Sequence, residues 1–180
     1  DAYVQKHFAP LHYDKDSAIA RQGEIHTGLL EALKQHEFFT LDFPKTTGPE
    51  VFNLRYLMDA QQRTNTQALA PQDVMATLNF FSAHVIAQAI NDCAGNLADF
   101  SVYASGGGIH NPLLMEHILS LCPRVSIIED TSKLGINPDA KEAVLFAILA
   151  NECLVGGQQT FGNITQGIPN ITMGKISFPD

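Results

Sequence analysis

Residues 100–112 read Phe100-Ser101-Val102-Tyr103-Ala104-Ser105-Gly106-Gly107-Gly108-Ile109-His110-Asn111-Pro112. The aromatic and β-branched residues at 100–104 favour extended backbone. The glycines that follow remove every Cβ, so the chain can turn tightly and a flat or phosphorylated ligand can lie against bare backbone. Asn111-Pro112 then opens a helix, because Asn is a strong N-cap and proline's fixed φ suits the first helical position. A strand, a tight turn and a helix in succession form the unit of an α/β fold, and α/β sheets bind ligands at the carboxyl ends of such strands. The segment is not a P-loop, since no Gly-Lys-Ser/Thr follows, and its third glycine is misplaced for a dinucleotide fingerprint. It suits a nucleotide contact and a plain structural turn alike. Asn111 either caps the next helix or offers its amide to a ligand, and one amide oxygen serves both jobs poorly.

Working outward, Pro71 opens the clearest helix. Val74, Leu78, Phe81, Val85 and Ala89 recur every three or four residues along one face. Asp73 complements the dipole in its first turn, and Gly95 ends it. Beyond the glycine turn, Val125-Ser126-Ile127-Ile128 predicts a short buried strand. Asn137-Pro138 opens a helix reaching about Leu154; it is apolar on every side over 143–150 and so is expected to be buried all round. Helix, strand, helix, strand, helix from residue 71 predicts an α/β layer with parallel strands. Two strands alone leave exposed edges, so further strands are expected outside this sequence. Upstream, the pattern predicts a short helix over 1–9, a polar turn at 14–17 capping a helix from about Ala18, and an amphipathic helix over 26–34. A loop over 43–50, a helix over 53–59 and a polar linker over 60–70 follow. The Gly/Gln/Asn-rich tail from Gly156 ends in a possible strand over 171–176.

With 180 residues, 45% hydrophobic and 17% charged, the chain has globular composition. Its formal net charge of −8 and the lack of any Lys/Arg cluster exclude the basic face that nucleic-acid binding requires. A phosphorylated small molecule remains compatible, because backbone N–H groups, a helix N-terminus or a metal ion can hold phosphate without a basic patch. Cys93, Cys122 and Cys153 are scattered and form no CxxC pair. They are expected to be reduced and mostly buried, in a cytoplasmic protein. No apolar run approaches the roughly 20 residues of a membrane helix, and no signal peptide is visible. The sequence opens at Asp1 without Met, in a helix-like pattern; a removed tag and a chain cut from something larger both account for that start. The seven histidines show no HxxxH or HxH pair, so no metal site is expected. No GxSxG nucleophile signature is present.

Two further segments can carry chemistry. In Pro44-Lys45-Thr46-Thr47-Gly48-Pro49-Glu50, a lysine, two hydroxyls and a glycine in one loop can grip a polyphosphate; taken alone, the same residues read rather as a solvated loop whose lysine touches nothing. Glu142, in Asp139-Ala140-Lys141-Glu142-Ala143-Val144, lies at the edge of the all-apolar helix. A carboxylate there is either paired or working, because burying it alone is costly.

In combination these segments resemble one family. The segment from Pro44 to Asn53 looks like PK[ST]TGxExFN. Gln72-Asp73-Val74-Met75-Ala76-Thr77-Leu78 looks like a DVxATL helix start. Ser105 to Met115 looks like GGGxxNPxLM, and Leu134 to Ala147 looks like LGxxxDAKEAxxFA. The family is anhydro-N-acetylmuramic acid kinase, of the sugar kinase/heat-shock/actin superfamily of ATPases, and the resemblance runs from about Asp1 to Lys175. It implies the C-terminal lobe of an actin/hexokinase-like (ribonuclease H-like) α/β fold, with an incomplete sheet in this chain. Residues 1–180 would form that single lobe, with 1–70 a helical and loop insertion and 71–180 the nucleotide-binding core.

The same resemblance implies ATP and Mg²⁺ as cofactors and 1,6-anhydro-N-acetylmuramic acid as substrate, hydrolysed and phosphorylated at O6 in cell-wall recycling. Gly106, Gly107, Gly108 and Asn111 would line the adenosine side. Lys45, Thr46, Thr47 and Gly48 would lie near the nucleotide, and Glu142 would reach the sugar or the water network. The family's GTSxDG and DTGPGN phosphate loops are absent, the second with its catalytic aspartate, which is expected upstream of Asp1. Ile164-Thr165-Gln166-Gly167 stands where the family has VTGA. No catalytic residue is therefore expected in this chain, which is expected to be inactive alone and to partner an N-terminal lobe of the same protein; a homodimer is compatible. The alternatives are a non-catalytic nucleotide- or partner-binding half-lobe, and a superfamily kinase for another sugar.

Overall fold

The structure is a computed structural model that describes residues 1–155. Its elements run α1 (Ala2–His7), α2 (Thr27–Leu33), α3 (Leu54–Thr64), α4 (Pro71–Ala94), β1 (Phe100–Ala104), α5 (Pro112–Leu121), β2 (Val125–Asp130) and α6 (Lys141–Val155), with short 3₁₀ turns between them. β1 and β2 pair in a two-stranded parallel sheet joined through α5. The described residues divide into two compact units, residues 1–103 with 107–129, and residues 104–106 with 130–155.

The first unit is built around α4. Val74 and Phe81 on this helix pack with Leu29, Leu30 and Leu33 of α2, Leu57 and Ala60 of α3, and Tyr3 of α1. One core is thus shared by the segments on either side of residue 70. Further along α4, Ala83 and Ala87 meet Ile118, Cys122 and Val125. The two alanines carry no bulk, so α5 and the start of β2 can pack against the helix surface. Along β1, Phe100, Val102 and Ala104 are half-buried while Ser101 and Tyr103 are exposed, the two-residue alternation of a sheet with one covered face.

Several expectations change. No helix starts at Ala18: 3₁₀ turns occupy Lys15–Ser17 and Ala20–Gln22. Asp16 and Ser17 sit in the left-handed region, with φ of 55° and 59°, and both oxygens of the buried Asp14 carboxylate are used here, accepting from the amides of Ile19 and Ala20. These local bonds compete with a regular helix. The linker expected over 60–70 is half helix. α3 continues to Thr64 because Ala60 is fully buried in the core and Gln61 Nε2 donates to the Thr66 carbonyl, and left-handed Asn65 then ends it. Of the cysteines, Cys122 is buried, Cys153 half-buried and Cys93 exposed, since Cys93 falls in the last turn of α4, past the core.

In the second unit, Asn137 Oδ1 accepts from the Asp139 amide, a turn that delays α6 to Lys141. The expected all-round burial of this helix is not found. Leu145, Phe146, Ile148 and Leu154 are exposed, Phe146 at 66%. An all-apolar pattern records what a helix can bury and does not supply the cover. The possible strand over 171–176 and the departure at 164–167 lie outside the described residues.

Candidate functional site

In the first unit, a cavity of about 640 Å³ is walled by Tyr3 and Val4 of α1, Tyr13 and Asp14, Met75, Leu78, Asn79 and Ser82 of α4, and Gly107, Gly108, His110, Asn111 and Leu114. That volume suits a small organic ligand. The wall is mixed, with apolar side chains from α4 and polar groups and bare backbone at the glycine turn.

The glycines play different parts. Gly106 has φ of +88° and donates its amide to the Pro138 carbonyl at 3.1 Å, a bond within the second unit. Its glycine character follows from its backbone. Gly107 and Gly108 belong to the first unit and have no such φ. A Cβ added at Gly107 meets nothing within 4 Å, and one at Gly108 meets only Leu114 Cδ2 at 3.6 Å, an ordinary contact. Nothing among the described residues requires glycine at 107 or 108, and both line the cavity.

Asn111 resolves the question the sequence left open. Its Oδ1 accepts from the Leu114 amide at 2.9 Å, from Ser17 Oγ at 2.6 Å and from Asn79 Nδ2 at 3.0 Å. The oxygen is therefore committed to capping α5 and joining three segments. Only the amide nitrogen is left for a ligand. Asn79, itself buried, has its own Oδ1 buried without a hydrogen-bond partner among the described residues, a costly condition in a protein interior. Sequence reasoning missed Ser17 and Asn79. The one available signal was the polar run from Asp14 to Ser17, which reads as an ordinary helix cap.

Lys45 is neither idle nor at the cavity. Its Nζ donates to the Leu41 carbonyl at 2.9 Å and lies 4.9 Å from the Phe43 ring centre. Thr46 and Thr47 are exposed. A Cβ at Gly48 would lie 2.5 Å from the Glu50 carboxylate, the end of an exposed side chain that can swing aside. None of these four residues lines the cavity. Glu142 lies in the second unit, exposed in the first turn of α6. Its expected place at the rim of a buried segment is not found, because the segment itself is exposed. Among the described residues Glu142 takes part in no ion pair, and no group of His, Cys, Asp and Glu there is arranged to hold a metal ion.

Burial sets the titration of the groups around α4 and α5. It pushes the Tyr3 phenol, in the cavity wall, and the Cys122 thiol up. It holds His84 and His117 below the usual histidine value; both rings lie against Phe80. The hydrogen bond from Arg21 holds Glu116 below the ordinary carboxylate range.

The described residues thus define an α/β protein whose first unit has a ligand-sized cavity lined in part by Gly107 and Gly108. A family profile described as anhydro-N-acetylmuramic acid kinase matches residues 1–178, and the chain belongs to that family. It is 76% identical over 180 residues to the anhydro-N-acetylmuramic acid kinase of Pseudoalteromonas atlantica, covering all of this chain and 45% of that protein. It is 60% identical to the enzyme of the same name from Pseudoalteromonas translucida, again over 100% of this chain and 45% of the relative. With that of Legionella pneumophila (strain Philadelphia 1) it shares 37% over 175 residues, 97% of this chain and 44% of the relative. The chain therefore spans a little under half the length of the curated relatives it matches.

Proposed function

We propose that this chain is the C-terminal lobe, of actin/hexokinase-like fold, of a cytoplasmic ATP-dependent kinase that converts 1,6-anhydro-N-acetylmuramic acid to N-acetylmuramic acid 6-phosphate. The overall reaction adds water across the anhydro bond and moves the γ-phosphoryl group of ATP to O6 of the sugar. Such transfers rely on holding the nucleotide and water in register, with a base to take the proton of the water. That base, an aspartate, lies in sequence preceding Asp1. The part played by this chain is the wall against which the nucleoside rests. Gly107 and Gly108 let the base or ribose approach the backbone, and Asn111 offers Nδ2. Lys45, Thr46, Thr47 and Gly48 would serve only at the far end of the nucleotide, and Glu142 would meet the sugar. The described residues do not fit a Mg²⁺ site of their own, and no step is assigned to the ion.

The observation that carries this reading is the open space at Gly107, a cavity-lining glycine that neither its backbone nor its neighbours among the described residues require. Gly107→Val in the full protein, titrated with ATP–Mg²⁺ by calorimetry, is the test. The fold has room for the side chain, so unfolding stays unchanged while nucleotide affinity falls about tenfold or more, as expected when a close contact is blocked. Equal binding by both proteins removes the turn from the site. Sugar identity is read by rates: comparable phosphorylation of glucose or N-acetylglucosamine refutes the proposed substrate.

A further inference from the structure

We infer that Ser17 is a positioning residue for the nucleotide wall, a latch that holds the glycine turn against the segment 13–20; the inference rests on the nucleotide reading of the cavity. Ser17 is fully buried, yet its neighbours along the chain, Asp16 and Ala18, are exposed. Its hydroxyl is used twice. Oγ donates to Asn111 Oδ1 at 2.6 Å and accepts from the Leu113 amide at 3.1 Å, bridging residues more than ninety positions away. The backbone N–H of Asn111 in turn donates to the Gly108 carbonyl at 3.1 Å. Ser17 thus bonds the side chain of Asn111, whose backbone N–H bonds the cavity-lining Gly108.

Two consecutive non-glycine residues in the left-handed region are unfavourable and persist only where surrounding contacts impose them. Here the imposing contacts are visible. The buried Asp14 carboxylate holds the Ile19 and Ala20 amides at 2.8 and 3.0 Å, and Ser17 is turned inward between them and α5. The strain is spent on aiming one hydroxyl. The same short segment also contributes Tyr13 and Asp14 to the cavity wall. Ser17 therefore ties together two parts of one wall, and its loss lets the Gly107-Gly108 backbone drift from Tyr13 and Asp14. Geometry of this kind governs how tightly a ligand is held more than the chemistry at its far end.

The test uses the full protein and three variants at the latch. Ser17→Ala removes the hydroxyl and keeps the backbone, Ser17→Gly removes the hydroxyl and relieves the left-handed strain, and Asp16→Gly relieves strain and keeps the hydroxyl. Both Ser17 variants are expected to raise the KM for ATP roughly tenfold, with kcat within about twofold and the KM for the sugar unchanged. Exchange of the Asn111 amide, which bonds Gly108, should quicken by a similar factor. Asp16→Gly, at an exposed residue that glycine can replace without strain, should change none of these. If Ser17→Ala and Ser17→Gly leave the KM for ATP unchanged while Gly107→Val raises it, the latch is refuted and the nucleotide reading stands. If either Ser17 variant lowers kcat and raises both KM values together, its role is general folding and the inference fails. If Gly107→Val has no effect on the KM for ATP, the nucleotide reading itself falls and takes this inference with it.

Discussion

Replacing Asn111 by alanine strikes the point at which three segments of the first unit meet. The substitution removes one acceptor and leaves three donors: the Leu114 amide, Asn79 Nδ2 and Ser17 Oγ. Loss of the cap at the start of α5 alone costs about 1 kcal/mol. Asn79 is buried and its Oδ1 already lacks a partner among the described residues, so its amide nitrogen becomes a second unmet group on one side chain, at about 1–3 kcal/mol. Ser17 Oγ keeps the Leu113 amide and adds less. The total is about 2–4 kcal/mol, short of the straight sum because the three bonds share an atom and do not add. Native-state hydrogen exchange of the amides at 115–119 reads this directly, and protection should fall roughly 30- to 800-fold. Asn111→Asp keeps an acceptor where the helix dipole favours an anion, and should stay within about 1 kcal/mol of the native protein. The reasoning is refuted if Asn111→Ala leaves protection within about twofold of native, or if Asn111→Asp is as harmful as Asn111→Ala, since the oxygen would then not be the shared acceptor.

Two other predictions concern stability. A Cβ at Gly23 would lie 2.1 Å from the Gln72 carbonyl oxygen and 2.6 Å from the Asp73 nitrogen. That is a collision of backbone with backbone, so Gly23→Ala should cost about 3 kcal/mol or more and lower the denaturant midpoint; an unchanged midpoint would mean that the two segments do not approach. His84 and His117 are both held below their ordinary value of 6.5, chiefly by burial. As pH falls through 6.5 the unfolded chain takes up protons first, so this contribution is full above 6.5 and is lost below it. Unfolding midpoints at mildly acidic pH should therefore lie below those at neutral pH, and the slope should flatten in His84→Gln/His117→Gln; an equal slope in that variant would assign the effect elsewhere.

The fold was legible wherever one signal sufficed. Pro71 and Gly95 bracket α4 because each acts through its own backbone, and the apolar spacing between them is long enough to fix a helix. The strand, turn and helix over 100–121 were equally plain. Failure came where a tertiary partner decides the local structure. The residues at 14–20 read as a helix start, but a buried carboxylate and a hydroxyl reaching Asn111 hold them in a left-handed turn, and no local pattern encodes a partner ninety positions away. Ala60 and Gln61 sat in a polar stretch that reads as a linker, though one alanine facing a core is enough to continue α3. For α6 the error ran the other way, since apolarity on every side predicts burial only when something is there to bury against. The sequence singled out Gly107, Gly108 and Asn111, which line the cavity, but not Asn79, one of several polar residues along α4 with nothing local to mark it.

The glycine triplet shows why such a motif is ambiguous on paper and less so in three dimensions. Read as letters, its three members are equivalent, and a tight turn accounts for all of them. In the structure only Gly106 answers to that account, because its φ of +88° excludes most side chains. Gly107 and Gly108 lack a positive φ, and a Cβ would meet nothing at Gly107 and only an ordinary contact with Leu114 at Gly108. A residue that the fold leaves free and that also walls a cavity points to what enters the cavity. Asn111 completes the division of labour. Its oxygen is consumed by the protein, and its nitrogen has no protein partner among the described residues, so in the reading we propose the same side chain fixes the start of α5 and keeps one donor for the ligand. A turn that served structure alone would need Gly106 and the Asn111 oxygen, and nothing more. The surplus, two unforced glycines and one spare donor along the wall of one cavity, is the ground on which we propose that a nucleoside rests there.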